Sequence, residues 1–439
     1  MIYDAVIIGT ATSGAYFARK LATKGYRVKM LERLSPEKLG TRMDIFHVSR
    51  SDFRKFDMPE VKQGDREWAF EFTDNHYSSP TSKYAVATTC ETVGLHMHEY
   101  VALMVRLALS AGAEIEYSAS FSGFLIENGV ICGVTYETAD GQKEIRAKTV
   151  IDCSGSSAVA RCALPENYGV ETFKLADEDM FYVVLRYAKF TKEQINTFWL
   201  NFKSWFAPFS LNRNEKIIGT GAVNSFENCE KTIEKLDKVC TEDKFEVVRT
   251  EKGTTPFRRP PYSLVADNFI VTGDAACLTK PDCGEGVTSS MVMMDIAADV
   301  LDEALKNGRT DKAALWKINT EYNRAQGADF CFTRAFLTKV IKATDDEMEY
   351  CFAKKLIFNE KFLDNGKIGA GDILKTVGGI IGGIAKNKIS VHTLGGVING
   401  VKLGVSLKSH YLKFPETPDG FDKWVKKSDN LWQKVGKVE

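Results

Sequence analysis

The chain has no excess of charge of either sign. Among its 439 residues, Lys plus Arg number 58 and Asp plus Glu number 58, so the formal net charge is zero. Binding nucleic acid calls for a basic excess or patch that neutralises phosphates, so that class of partner is not expected. Cysteine is present ten times but never as Cys-x-x-Cys. Scattered thiols in a chain of this size read as reduced and intracellular, not as a disulfide framework or a zinc or iron–sulfur site. Of the six histidines only His96 and His98 stand at ligand spacing. No set of cysteines or carboxylates accompanies them, so a metal is not expected. Met1 leads into an apolar strand-like run without the basic start and apolar core of a secretory signal. No stretch reaches the 18 or more apolar residues of a membrane-spanning helix. With 44% hydrophobic and 26% charged residues the composition is that of a soluble globular protein. The length allows two or three domains with substantial cores.

Three short segments carry the chemistry. In the first, the β-rich run Ile2 to Ile8 leads into Gly9-Thr10-Ala11-Thr12-Ser13-Gly14. A helix-like stretch then runs to Lys24, with Gly25 as its C-cap, and Arg27 to Leu31 forms a second strand ending at Glu32. This is a dinucleotide fingerprint, with strand before, helix after and an acidic residue at the distance of a ribose ligand. Ala11 replaces the usual middle glycine, and its methyl narrows the approach to a pyrophosphate without blocking it. In the second segment, apolar Val150-Ile151 leads into Asp152-Cys153-Ser154-Gly155-Ser156-Ser157. Alone it reads equally well as an ordinary strand end. The third is Gly273-Asp274-Ala275-Ala276-Cys277 through Pro281 to Cys283-Gly284-Glu285-Gly286, after the buried strand Phe269-Ile270-Val271 and before a helix from Val287 to about Leu305. A carboxylate at a strand tip and amides at a helix N-terminus suit a ribitol hydroxyl and negative charge.

In this order the three segments resemble the FAD-dependent aromatic hydroxylase (p-hydroxybenzoate hydroxylase-like) superfamily, and within it the geranylgeranyl reductase branch. The late run of Gly-Asp-Ala-Ala, Pro281 and Gly284-Glu285-Gly286 is similar to that branch's FAD motif. Trp205-Phe206-Ala207-Pro208, followed by Gly219-Thr220-Gly221, is similar to its aromatic–proline and Gly-x-Gly substrate motif, although the aromatic and the proline are shifted by one and the spacer is longer. The resemblance covers about residues 1 to 305. It implies an α/β fold in which a Rossmann-like FAD-binding domain (1–66, 98–166 and 260–305) interleaves with a β-sheet substrate domain (67–97 and 167–259). A mainly helical C-terminal region (306–439) follows. It further implies that Gly9, Ala11, Ser13 and Gly14 approach the pyrophosphate, Glu32 takes the adenosine ribose and Arg33 covers the adenine. Arg42 is a further cofactor contact or a solvated loop arginine. Asp274 holds the ribitol side, and Gly284, Glu285 and Gly286 lie at the flavin edge where charge develops on reduction. Many relatives place an FAD-contacting arginine just ahead of the helix near residue 100. Here His96 and Met97 stand in its place, so His96 makes that contact or it is missing. Trp205, Pro208, Gly219 and Gly221 would form the substrate site.

Between these motifs the pattern is mixed. Trp68 to Phe72 and Tyr84 to Thr89 read as strands, Glu99 to Ala111 as a helix, and Phe124 to Thr138 as a hairpin through Asn128-Gly129. Met180 to Tyr187 and Lys216 to Val223 read as strands and Asn228 to Cys240 as a helix. Beyond Leu305 the spacing is helical, with Leu315, Trp316, Tyr322, Phe330, Phe332, Phe336 and Ile341 as core. Residues 373 to 407 are rich in glycine and apolar residues, interrupted by Lys386, Asn387 and Lys388. Two readings stand: small-residue packing between helices, or a surface that dips into a bilayer interface.

The implied chemistry is hydride transfer from reduced flavin to an alkene of a prenyl or other apolar substrate, with a proton delivered to the opposite carbon. Cys277 and Cys283, in a turn beside the expected flavin, are the proton-donor candidates. An electropositive turn would lower a thiol pKa, whereas the bland reading makes both small buried hydrophobes. Tyr262 and Trp205 are weaker candidates. The alternative is a flavin monooxygenase of an aromatic or polyketide-like substrate; the tryptophan pair of flavin halogenases is missing. No second nucleotide fingerprint is present, so the donor is NAD(P)H without a dedicated domain, or a reduced ferredoxin or flavodoxin. A cytoplasmic location, with peripheral membrane contact in the lipid case, fits these readings. They leave the oligomeric state open.

Overall fold

The computed structural model describes residues 1–192, 197–201, 204–211, 214–239, 245–356, 359–360 and 370–436. Two eight-stranded sheets and a helical C-terminal region form an α/β architecture. The first sheet is built on Ile2–Ile8, which is flanked in parallel by Val28–Glu32 on one side and Gly141–Asp152 on the other. Ala5, Val6 and Ile7 are fully buried, as a central parallel strand covered on both faces requires. Phe269–Val271 pairs in parallel with the far edge of Gly141–Asp152, and Glu114–Tyr117 with Val28–Glu32. The hairpin Ser120–Glu127 and Val130–Thr138 extends the sheet, turning through Asn128 and Gly129, both at positive φ as a tight hairpin turn demands. Helices Thr12–Thr23, Met97–Ser110 and Val287–Lys306 pack together over this sheet.

The second sheet runs in the order Phe245–Pro256, Met180–Phe190, Glu215–Val223, Ser204–Ser210, Thr197–Asn201, Trp68–Ser78, Ala85–His96, Ile45–Ser49. It is antiparallel except where Thr197–Asn201 meets Trp68–Ser78. The chain first enters it at Ile45, within a stretch whose polar composition gave no strand signal. The helix expected over Asn228 to Cys240 spans Phe226–Val239; Cys240 lies outside the described residues.

Leu315, Trp316, Tyr322, Phe336 and Ile341 are buried in the C-terminal region, whereas Phe330 and Phe332, also expected in the core, are only half-buried. There the helix Val391–Tyr411 lies along Ala328–Val340. Glycines four residues apart make the contact. A Cβ at Gly396 would meet the Lys339 carbonyl oxygen at 2.6 Å, and one at Gly404 the Phe332 ring at 2.7 Å. This face of the glycine-rich stretch is small-residue packing. Among the described residues no helix is long and apolar enough to cross a membrane.

Candidate FAD and substrate site

Strand register brings the three motifs to one place. Ile8 pairs with Asp152, and Asp152 with Val271, so three parallel strands end side by side and their turns converge beyond the carboxyl edge of the sheet. The chain leaves Ile2–Ile8 with neighbours on opposite sides, which makes this a topological switch point, where open α/β sheets bind ligands. The turns touch. A Cβ on Gly9, at φ +90°, would lie 2.5 Å from the Cys153 carbonyl oxygen, and one on Gly273, at φ +62°, 2.7 Å from Ser13 Oγ. Gly14 packs directly on Gly9, where a Cβ would sit 1.9 Å from its carbonyl oxygen. Glycine is therefore required at both ends of the first turn. Ala11 is exposed at the helix start.

The helices Thr12–Thr23 and Val287–Lys306 both begin at this edge without a side-chain cap, at Ala11 and Gly286. Apart from the Thr288 amide, which Glu285 holds, their first amides are left for a ligand or solvent, and the helix dipoles favour a negative group there. Glu32 is buried, and both its oxygens accept hydrogen bonds: the Thr10 amide at 2.9 Å and hydroxyl at 3.0 Å on one, the Leu34 amide at 2.9 Å on the other. It locks the fingerprint turn to the end of the second strand and keeps one lone-pair direction for a ligand hydroxyl. Arg33 stands exposed beside it. Arg42 is exposed, donates to Thr254 Oγ1 at 3.2 Å, and is near enough for its charge to act on Asp274.

Asp274 is half-buried and accepts from Thr279 Oγ1 at 3.3 Å. Burial pushes its carboxyl up to about 6, Glu285 adds to the push, and Thr279 and Arg42 oppose it. Gly286 backs directly onto this carboxylate, since a Cβ there would approach Oδ1 to 3.1 Å. The Glu285 carboxylate is engaged by Lys280 Nζ at 2.9 Å and by the Thr288 amide and hydroxyl at 2.6 and 2.7 Å, so it shapes the loop it belongs to. Uncapped amides, glycines packed against backbone and a free carboxylate edge together fit the FAD-type ligand that the motifs imply.

Three residues that hold the site had no role assigned from the sequence. Arg161 is fully buried and donates from Nε to the Ala275 carbonyl at 2.8 Å and from one terminal nitrogen to the carbonyls of Glu171 and Phe173. It ties the second motif to the third. Asp152 is saturated by the Ser154 amide and hydroxyl and the Arg161 amide, which makes its role structural. His47, on the strand Ile45–Ser49, is near enough to Glu285 and Lys280 for their charges to act on it. Burial chiefly, with help from Lys280, pushes its imidazole down to about 4, so it is neutral at pH 7. Only the pairing of Ile45–Ser49 into the second sheet brings it here, which is why spacing could not reveal it.

The thiols depart from expectation. Cys277 is buried at a left-handed turn position, and burial pushes it up to about 12. Cys283 is exposed, yet the protein around it and Asp282 push its thiol well above the ordinary value. Both shifts run opposite to the lowering expected of an electropositive turn: at Cys277 burial outweighs the nearby cations, and at Cys283, whose surface still meets solvent, the surrounding protein with the Asp282 and Glu285 carboxylates outweighs Lys280. Tyr262 donates to Asp429 Oδ1 at 2.6 Å beneath Arg259 and packs on Trp424, a structural setting. His96 is engaged by Asp44 at 3.0 Å, which raises its pKa, and Arg249 shares that carboxylate.

The aromatic and glycine motif proves to be one unit. Trp205 pairs across the sheet with Gly221, and Pro208 with Ile218. The indole lies flat over both glycines: a Cβ on Gly221 would be 2.1 Å from Trp205 Nε1, and one on Gly219 3.1 Å from its ring. The two glycines exist to seat the ring. Among the described residues, nine cysteines are free thiols and no cluster of three or more His, Cys, Asp or Glu could hold a metal.

Comparison with known proteins follows the same lines. Residues 4–255 match the family described as FAD dependent oxidoreductase. The chain is 24% identical to a digeranylgeranylglycerophospholipid reductase of Sulfolobus acidocaldarius, over 99% of this chain and 98% of that protein. Its fold matches a geranylgeranyl bacteriochlorophyll reductase-like protein from Thermoplasma acidophilum, with a TM-score of 0.70 at 18% identity, covering 86% of this chain and 96% of that one. It also matches a myxobacterial chondrochloren halogenase, with a TM-score of 0.62 at 14% identity over 94% and 97% of the two chains.

Proposed function

Because the chain belongs to the FAD-dependent oxidoreductase family and is geranylgeranyl reductase-like within it, we propose that it reduces carbon–carbon double bonds of a prenyl or other apolar substrate. The observation that carries this reading is the end-to-end similarity to a prenyl-lipid reductase, which continues through the C-terminal helices beyond the family match. Bound FAD supplies the hydride, which the protein alone cannot provide.

The chain's own residues do the rest. Ala11, Ser13 and Gly14 offer amides to the pyrophosphate, while Gly9, whose own amide is held by the Leu31 carbonyl at 2.8 Å, keeps the turn tight enough for close approach. Glu32 turns its remaining lone pair to a ribose hydroxyl, with Arg33 over the adenine side. Asp274 and Arg42 hold the ribitol and phosphate side, and the backbone of Gly284, Glu285 and Gly286 faces the flavin edge. Trp205, seated on Gly219 and Gly221, offers a flat apolar surface to an isoprenoid chain, with Pro208 on the same strand. Hydride addition to one alkene carbon requires a proton at the other. Cys283 is the thiol that a substrate in the cleft can reach, and its raised pKa keeps the proton on Sγ until the carbanion-like carbon draws it off. Cys277, enclosed behind the turn, serves packing. Electrons come from NAD(P)H or from a reduced ferredoxin or flavodoxin. A prenyl lipid resides in a bilayer, so we place the enzyme in the cytoplasm at the membrane surface.

The test is anaerobic. The bound flavin is reduced with dithionite, excess reductant is removed, and a geranylgeranyl lipid is added while the flavin spectrum is followed. Reoxidation without oxygen, with a saturated product, is expected. A flavin that stays reduced until oxygen enters, and then passes through a peroxyflavin-like transient, would refute the reductase reading and favour a monooxygenase.

A further inference from the structure

The outward faces of two C-terminal helices are built against the usual rule. A helix that lies on a protein in water turns its polar side outward. On Val391–Tyr411 the exposed apolar residues are Val391, Ile398, Val405 and, at the C-cap, Leu412, spaced seven residues apart. Seven residues return to nearly the same side of a helix, drifting by about 20° each time. These four side chains therefore form one ridge along a helix about 32 Å long. On Ala370–Ile384 the outward stripe reads Gly371, Leu374, Lys375, Gly378, Ile381 and Gly382, with Ala385 just beyond its end. A Cβ added at Gly371, Gly378 or Gly382 would meet no atom within 4 Å. The six large apolar side chains of the two faces are between 44% and 74% exposed.

Between Asp372, in the first turn of Ala370–Ile384, and Glu416 the charge is positive. From Ile373 to Pro415 the sequence holds six lysines (Lys375, Lys386, Lys388, Lys402, Lys408 and Lys413) and neither Asp nor Glu. In a chain of zero net charge such a segment is a local basic field. Lys408 pairs with Asp329, while the other five are exposed. The opposite side of Val391–Tyr411, with Gly396, Gly400 and Gly404, is pressed on Ala328–Val340, so the ridge is held rigidly outward. A second copy of the chain is a poor occupant, because self-association would set lysine against lysine.

We propose that this face docks the protein on an anionic lipid bilayer, with the Val391–Ile398–Val405–Leu412 ridge and Leu374 and Ile381 entering the headgroup boundary and the lysines meeting lipid phosphates. An amphipathic helix with apolar and basic residues on its lipid-facing side binds in this way, and the attraction weakens with salt. The inference takes its purpose from the prenyl-lipid reading, but its test uses neither prenyl substrate nor turnover, so the two stand or fall separately.

The holoprotein is floated with phosphatidylglycerol–phosphatidylcholine vesicles and with pure phosphatidylcholine vesicles, at low and high salt. Flotation with the anionic vesicles, reduced at high salt, is expected. I398E combined with V405E should lower the bound fraction at least tenfold, with flavin absorbance and melting unchanged because both positions are exposed. K386E combined with K388E should weaken only the binding that depends on anionic lipid. Equal flotation with both vesicle types, or flotation that ignores I398E/V405E, would overturn the proposal. So would a wild-type dimer that I398E/V405E converts to monomer without any vesicle binding, since the ridge would then be a self-association seam.

Discussion

Gly221→Ala tests the proposal that Trp205, seated on Gly219 and Gly221, forms a floor for the substrate. The new Cβ would fall 2.1 Å from Trp205 Nε1 and 2.5 Å from Cε2. Ordinary carbon contacts begin near 3.5 Å, so the indole must retreat by roughly 1.4 Å or swing off its rotamer. It cannot retreat freely, because it packs in a cluster with Phe70, Leu185 and Ile217. Overpacking of this kind costs about 1–3 kcal/mol. If the ring's position matters to the substrate, kcat/KM for a prenyl lipid should fall by about 5- to 100-fold. FAD content should stay at the wild-type level, since the fingerprint, Asp274 and Gly286 lie on the other sheet and its helices. Trp205→Phe, with a smaller ring, should restore part of the loss in the Gly221→Ala background, whereas Trp205→Phe alone should lower activity. The assay is anaerobic reoxidation of the reduced flavin by substrate, read beside flavin content and a melting curve. Wild-type reoxidation kinetics in Gly221→Ala, with an unchanged melt, would refute the reasoning.

Three further outcomes follow from the site. Glu32→Ala leaves the Thr10 and Leu34 amides without their acceptor, so apoprotein stability should fall by about 2–4 kcal/mol, and FAD retention through gel filtration should fall as well; full retention would sink the assignment. Asp274 titrates near 6 in the folded apoprotein, above the ordinary value near 3.9 of an unfolded chain. The folded state therefore binds more protons between about pH 4 and 6, and stability declines as pH rises through that window. Asp274→Asn should stabilise the apoprotein at pH 7 by at most about 3 kcal/mol, with little effect at pH 4; an equal change at both pH values in chemical denaturation would contradict this. A maleimide probe should label Cys283 in the folded protein, faster as pH rises, and reach Cys277 only on unfolding, as peptide mapping would show.

Local patterns made much of this protein legible. The strand–turn–helix at Ile2 to Lys24, the helix after Gly286, the hairpin at Asn128-Gly129 and the aromatic core of the C-terminal helices all lie within a few residues of the signals that specify them. Side-chain period and turn chemistry act over that range, so the dinucleotide fingerprint could be read from residue order, whereas the interleaving of domains was an expectation from the family resemblance. Other features depend on pairing between distant segments. Ile8, Asp152 and Val271 become neighbours only through sheet register, and Arg161 reaches Ala275 only because those strands align. His47 comes near Glu285 and Lys280 because an unremarkable polar stretch adds an edge strand to the second sheet. The direction of the cysteine shifts was likewise a tertiary matter: sequence shows the cations near a thiol, but only packing sets how much water remains to hydrate a thiolate. The glycine-rich C-terminal stretch allowed two readings because glycine spacing cannot say which side of a helix is covered. The fold assigns one side to Ala328–Val340 and leaves the apolar ridge facing out.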